Sequence, residues 1–322
     1  MNAKLRLMRS VLEKQQFRFV GEHTAIKICH WTKASLREKG SCYKQRFYGI
    51  NSHRCVQISP SVGFCQNNCI YCWREIQYSL ENTYDKYEKI DEPADIVDRA
   101  IAAQKGLLTG FGGNTATQRQ KWEESKEPVH FAISLSGEPT MYPKIAELIA
   151  EINSRGHSTF LVTNGMLPER LEELRDKGAM PTQLYLSVNA TGKEMFDLIE
   201  HPLYKDAWER LQRSMDLVRS FRDLTRTVMR ITCIKGYNMT DAAGWAAMLE
   251  RCQPKFLEVK GYTFVGSSTA RLTRENSPVH ADVGAFAEEL QRHSDYRIVD
   301  EQPVSRVVLM SQRRWDDQYL DI

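Results

Sequence analysis

Hydrophobic and polar positions along the middle of the chain fall into two alternating periods. Six short runs have the composition and two-residue period of strands. They are VQISPSV (56–62), HFAISLS (130–136), STFLVTN (158–164), QLYLSVN (183–189), TVMRITCI (227–234) and KFLEVKGY (255–262). Segments with helical spacing lie between them, at about 93–109, 143–155, 168–177, 204–222 and 240–251. Pro93 and Pro168 suit first-turn positions, and Gly156 and Gly178 suit helix ends. Residues 280–293 add another helical pattern, and RVVLMS (306–311) a late strand. The polar, glycine-containing stretch 111–127 predicts a loop or insertion. Strand–helix repetition predicts an α/β fold with a parallel sheet. Six units fit a partial (β/α)6 barrel, and a doubly wound sheet is the alternative. Functional side chains then belong at the C-terminal ends of the strands. Distinctive residues stand there: Gly63–Cys72, Ser136-Gly137-Glu138-Pro139, Thr163-Asn164-Gly165 and Ser187-Val188-Asn189.

Composition narrows the class. With 42% hydrophobic residues, the 322-residue chain can bury a substantial core. No apolar run approaches the roughly 18 residues of a membrane span. The basic start, MNAKLRLMRSVLEKQQ, lacks the apolar stretch of a secretory signal. The expectation is a soluble, cytoplasmic protein. The net charge of +3 hides an asymmetry. Residues 1–54 hold twelve Lys/Arg against three acids, so the front end is basic and the rest is acidic. That pattern points to a polyanionic partner.

Six of the eight cysteines lie between Cys29 and Cys72. A reducing compartment favours metal binding over disulfides for such a set. Cys65, Cys69 and Cys72 are spaced C-x3-C-x2-C in CQNNCIYC. An iron–sulfur cube takes thiolates, usually four. Three from one loop hold three irons and leave the fourth open to a small molecule. Zinc is the alternative, although zinc knuckles supply paired C-x2-C units. Upstream, Cys29, Cys42 and Cys55 are spaced C-x12-C-x12-C. Three buried structural cysteines would be the simpler reading. Their polar, basic neighbours (CHWTK, SCYKQ, HRCVQ) argue instead for a second site. Lys44 follows Cys42 closely and can serve as an amine nucleophile toward a carbonyl or as a phosphate contact.

CQNNCIYC resembles the cysteine loop of radical S-adenosylmethionine enzymes, and Gly137-Glu138-Pro139 resembles their Gly-Glu-Pro motif. The resemblance implies a partial (β/α)6 barrel and a [4Fe–4S] cluster on Cys65, Cys69 and Cys72, whose open iron takes S-adenosylmethionine. It places Ser136, Gly137 and Glu138 at the methionyl amino group, with Glu138 accepting from the ammonium. Asn164, Ser187 and Asn189 are candidate contacts to ribose or carboxylate, or simply satisfied loop groups. Arg230 pairs with a carboxylate or closes an ion pair at the barrel floor.

The longer run from Cys29 through Trp73, with IKGYNMT (234–240), LEVKGYTFVGSS (257–268) and RLTRENSPVH (271–280), resembles the tRNA 4-demethylwyosine synthases of the archaeal type. This resemblance covers about residues 25 to 310. It implies condensation of N1-methylguanosine, at position 37 of phenylalanine tRNA, with pyruvate. A second [4Fe–4S] cluster would sit on Cys29, Cys42 and Cys55, its open iron would position pyruvate, and Lys44 would activate the pyruvate ketone or hold its carboxylate. The expected partners are the tRNA anticodon loop, pyruvate and an external electron donor of flavodoxin or ferredoxin type, and a monomer is expected. The implied division is a cluster-binding extension (1–55), the barrel (56–270) and a C-terminal α/β extension (271–322). Trp31, Tyr43, Phe47, Tyr48 and Trp73 are candidates to stack on bases, and Arg271, Arg274, Arg313 and Arg314 to contact phosphates. The rival readings are a different auxiliary-cluster radical enzyme, a zinc-dependent RNA-binding module and a two-cluster electron carrier.

Overall fold

The two-residue period of the strands gives the sheet two chemically different faces. The structure is a computed structural model, and it describes residues 3–76 and 89–320. Among them, ten strands form one sheet: β1 (Arg18–Phe19), β2 (Ala25–Lys27), β3 (Cys55–Ser59), β4 (His130–Ile133), β5 (Ser158–Thr163), β6 (Gln183–Ser187), β7 (Arg226–Cys233), β8 (Phe256–Gly261), β9 (Arg297–Gln302) and β10 (Val307–Ser311). Strands β3 to β8 run parallel, each beside the next. Antiparallel strands flank them, β2 then β1 on one side and β10 then β9 on the other. Strands β1 and β9 remain edges, so the barrel is partial.

The helices are α1 (Ala3–Lys14), α2 (His30–Leu36), α3 (Tyr43–Tyr48), α4 (Pro93–Leu108), α5 (Arg119–Glu124), α6 (Ile145–Ser154), α7 (Pro168–Asp176), α8 (Lys193–Glu200), α9 (Ala207–Ser220), α10 (Ala242–Cys252) and α11 (His280–His293). Pro93 and Pro168 open α4 and α7 at their first turns. Gly156 and Gly178 follow α6 and α7 with positive φ, where a side chain would be strained.

One face of the sheet carries Val56, Ile58, Phe131, Ile133, Leu161, Leu184, Leu186, Met229, Ile231, Leu257 and Val259, buried under the helices in one core. The residues between them point the other way. They include Cys55, Phe160, Tyr185, Arg230, Glu258 and Lys260, a polar and aromatic lining. Onto this inner face folds the segment carrying α3. Tyr43, Phe47, Tyr48 and Ile50 pack against Phe160, Tyr185, Val228, Phe256, Val307 and Leu309. The N-terminal segment is therefore part of the barrel interior.

Several sequence expectations need correction. Residues 111–127 are not a plain loop. A 3-10 turn (Thr109–Gly113) and α5 lie there, tied to the front end by Gln118 N–H donating to Leu36 O and by the His53–Glu124 pair at 2.7 Å. Helix α8 and strands β1, β2 and β9 were not anticipated. The first barrel strand stops at Ser59, because Pro60 has no N–H to give.

Candidate active site

Two cysteine groups open into this interior. The first belongs to the loop after β3. The chain there is held on both sides. Asn68 N–H donates to the Glu200 and His201 carbonyls, Ile70 N–H to Ile199 O, and Leu203 N–H to Gln66 O. On the other side, Arg271 donates through Nε to Ile70 O at 3.1 Å and through its terminal nitrogen to Cys72 O. Gly266, at φ +60, lies so close to the Trp73 carbonyl that a Cβ would collide with it. The stretches FVGSS and RLTRENSPVH thus brace the cysteine loop, and Arg271 is occupied there.

Within the loop, Cys65 and Cys69 are buried and Cys72 is partly exposed. Burial pushes the Cys65 thiol up, and it pushes Cys69 well up, helped by Glu200 and the other two thiols. Arg74 Nε donates to Cys72 Sγ at 3.0 Å. Burial would lower this guanidinium, but Cys72, Cys65 and Cys69 outweigh it and raise its pKa. A cation set among three thiols is suited to a thiolate set. Among the described residues, no three His, Cys, Asp or Glu side chains close around a single-ion position. A cube takes each thiolate on a different iron, and the three cysteines of this loop can supply one each.

The loop after β4 lies alongside. Gly137 has φ +74, and a Cβ there would strike the Ser61 carbonyl oxygen. Ser136 is buried, and its carbonyl accepts from Ser59 Oγ. Glu138 is only 3% exposed. Its Oε1 accepts from Thr140 N (3.1 Å), Thr140 Oγ1 (2.7 Å) and Thr163 Oγ1 (2.7 Å), and its Oε2 from Asn164 N (2.8 Å). Burial raises its pKa, and these bonds oppose the rise. The carboxylate clamps the β4 and β5 loops together. Asn164 Nδ2 lies 3.7 Å from Cys65 Sγ. Ser187 is partly exposed at the end of β6 on the inner face. Asn189 is buried and fully engaged. Its Nδ2 donates to Glu200 Oε1 (2.6 Å) and Tyr71 OH (2.8 Å), and its Oδ1 accepts from Thr232 N (2.7 Å).

The sequence reading missed Glu200, at the last residue of α8. It is 3% exposed and accepts from Cys69 Sγ (2.7 Å), Tyr71 OH (3.2 Å), Asn67 Nδ2 (3.2 Å) and Asn189. A buried carboxylate with this many donors is a built feature. The only sequence sign was a helical pattern, KEMFDLIE, starting sooner after SVNA than expected.

The second group is made by three separate pieces of chain. Cys29 precedes α2, Cys42 precedes α3, and Cys55 opens β3 on the inner face. They lie within electrostatic reach of one another. Burial, then Cys29, pushes Cys42 up to about 11 and Cys55 up to about 12. Lys44 opposes both rises. Lys44 is 8% exposed, and its ammonium sits between two rings, 4.8 Å from the Phe160 centroid and 4.3 Å from that of Tyr185. Burial, then Arg230, lowers its pKa, against Glu258, Cys42 and Cys55.

Arg230 is found here, not beside the cysteine loop. It donates to Glu258 through Nε (3.0 Å) and a terminal nitrogen (2.9 Å), and to Tyr43 OH at 2.8 Å. Tyr43 and Tyr48 also donate to Glu258, at 3.1 and 2.9 Å. Tyr43, Phe47 and Tyr48 are thus buried struts that no base can reach. Trp31 and Trp73 remain partly exposed. Arg313 stacks on Trp315, as do Arg222 and Lys255, at the N-terminal end of β8. This is the barrel end opposite the cysteine loop.

Comparison with known proteins matches residues 59–249 to the radical SAM superfamily and residues 251–312 to a wyosine base formation family. An S-adenosyl-L-methionine-dependent tRNA 4-demethylwyosine synthase of Pyrococcus horikoshii is 45% identical over 309 residues, covering 96% of this chain and 89% of that protein. A solved structure of TYW1 with a lysine–pyruvate adduct bound superposes with a TM-score of 0.86 at 35% identity, covering 97% and 98% of the two chains. A crystal structure of archaeal TYW1 gives 0.79 at 32% identity, with the same coverage. The chain belongs to the radical SAM superfamily and, within it, to the archaeal-type tRNA 4-demethylwyosine synthases.

Proposed function

We propose that this enzyme condenses the N1-methylguanosine next to the anticodon of phenylalanine tRNA with pyruvate, forming 4-demethylwyosine, and that Lys44 is its pyruvate-binding amine. The position of Lys44 carries this reading: a buried ammonium between Phe160 and Tyr185, in reach of Cys42 and Cys55. Burial and Arg230 favour the free amine that attacks a ketone. The lysine–pyruvate adduct in the TYW1 relative supports the same chemistry.

Cys65, Cys69 and Cys72 would hold the [4Fe–4S] cluster, which supplies the electron that cleaves S-adenosylmethionine. Cys29, Cys42 and Cys55 would hold a second cluster, and an external donor of flavodoxin or ferredoxin type would supply electrons. Asn164 stands beside Cys65 and Ser187 ends β6 on the inner face, and both can meet S-adenosylmethionine directly. Glu138 and Asn189 act by position. Glu138 fixes the Ser136–Gly137 backbone, and Asn189 fixes Tyr71 and Glu200. Arg230 belongs to the Lys44 pocket, where it orients Tyr43 and Glu258.

The test is an anaerobic reaction with methylated tRNA, pyruvate, S-adenosylmethionine and a strong reductant. Mass analysis of the digested tRNA should show the tricyclic base, from protein holding about eight irons. Lys44→Met should lose the product and keep reductive cleavage of S-adenosylmethionine. Full turnover by that variant would remove Lys44 from the mechanism, and about four irons would remove the second cluster.

A further inference from the structure

Two amines face Cys42, and the reading above uses one. The other is Lys260, on the inner face of β8 opposite Val307 of β10. Its ammonium stands over the Tyr43 ring, 4.8 Å from the centroid, and donates to Ser305 O at 3.2 Å. Cys42 and Glu258 are its anionic neighbours, and Arg230 and Arg306 its cationic ones. Glu258 is already taken by Tyr43, Tyr48 and Arg230. Among the described residues, neither Lys260 nor Lys44 has a carboxylate within ion-pair distance, whereas Arg230 has Glu258 at 2.9 Å.

Lys260 is therefore a partly buried ammonium whose hydrogen-bond partner is a carbonyl, on the same inner face as the Lys44 pocket. A cation held away from bulk water gains from an anion placed beside it. A substrate carboxylate supplies that anion.

We propose that Lys260 binds the carboxylate of the 2-oxo acid whose ketone condenses with Lys44, and so selects substrates with a free carboxylate. This rests on the Lys44 reading. In the covalent step the Lys44 nitrogen bonds to the ketone carbon and water leaves. Lys260 and the carboxylate stay unchanged, joined by charge-assisted hydrogen bonds from the ammonium protons that Ser305 leaves unused. The motif LEVKGY contributes this lysine at a strand position that pleating aims inward, two residues after Glu258.

Reductive trapping tests this without relying on turnover. Reconstituted protein, its iron content verified, is incubated anaerobically with pyruvate or with pyruvamide and then with cyanoborohydride. Peptide mapping locates the adduct, which for pyruvate adds the mass of pyruvate less one oxygen. Wild-type protein should trap pyruvate at Lys44 with half-saturation at least about tenfold below that for pyruvamide. Lys260→Met should lose that preference by weakening pyruvate trapping alone, and Lys260→Arg should restore most of it. Equal trapping of the two compounds by wild-type protein overturns the proposal whether or not the variants fold. So does a Lys260→Met protein that keeps the preference or loses both compounds alike. No adduct on Lys44, or an adduct on Lys260 itself, would overturn the Lys44 reading as well.

Discussion

Gly137 shows how much one position can demand. Its φ of +74 lies where only glycine is comfortable, and the Ser61 carbonyl oxygen fills the space a side chain would need. The next residue cannot adjust, because Glu138 N–H donates to Phe64 O at 2.6 Å and its carboxylate is tied to both neighbouring loops. Gly137→Ala should cost about 1–3 kcal/mol in strain. The measurable result is a lower melting temperature together with weaker S-adenosylmethionine binding. Wild-type affinity in a folded Gly137→Ala protein would show that the backbone at 136–138 does not shape that site. The sequence groups residues 136–138 and leaves open what the Glu138 carboxylate bonds. A Gly-Glu-Pro turn after a strand is visible in one dimension. That Thr140, Thr163 and Asn164 all bond the carboxylate is not, since two of these donors come from another loop.

At the scale of elements, the strands and the helices covering them were legible because burial writes a period into them. Strands β3 to β8 and helices α4, α6, α7, α9, α10 and α11 all fall where apolar spacing put them. The N-terminal elements were not legible. Helices α2 and α3 have seven and six residues, too short for a periodic signal. Tyr43, Phe47 and Tyr48 looked like an aromatic binding surface because nothing in the sequence said they fold into the barrel. Helix α8 hid behind the polar strand end SVNA, and Glu200 with it. Glu200 has a consequence for the cluster site. Its contact with Cys69 uses the thiol proton, which a thiolate ligand has given up. The carboxylate keeps its bonds from Tyr71, Asn67 and Asn189, with its negative charge close to the cysteine. Glu200→Gln removes that charge and keeps the shape. The reduction potential of the cluster should rise by tens of millivolts, since local charge tunes such potentials. An EPR-monitored redox titration measures it, and an unmoved midpoint would mean that this carboxylate does not tune the cluster.

The whole molecule divides its charge as the sequence does, but only part of the basic front end is free to meet RNA. Arg46 is held by Asp300 at 2.7 Å, and Lys44 is inside the barrel. Lys39 is exposed and Lys33 partly so, the latter donating to the neutral Gln16 side chain. Arg313 stands at the barrel end away from the cysteine loop, and Arg271 is spent on that loop. Of these front-end cations, Lys33 on α2 and Lys39 in the turn after it are therefore the ones left to meet the phosphates of an anticodon loop. Each phosphate neutralised on a single strand adds about 0.7 to the steepness of log affinity against log salt. Lys33→Gln with Lys39→Gln should flatten that slope by one to two such increments, as read by filter binding or anisotropy across a salt series. Arg46→Gln should leave it nearly unchanged, because its charge is already neutralised. The opposite ranking, with Arg46 dominant, would mean that the Asp300 pair opens on binding and that the RNA crosses the β9 edge instead.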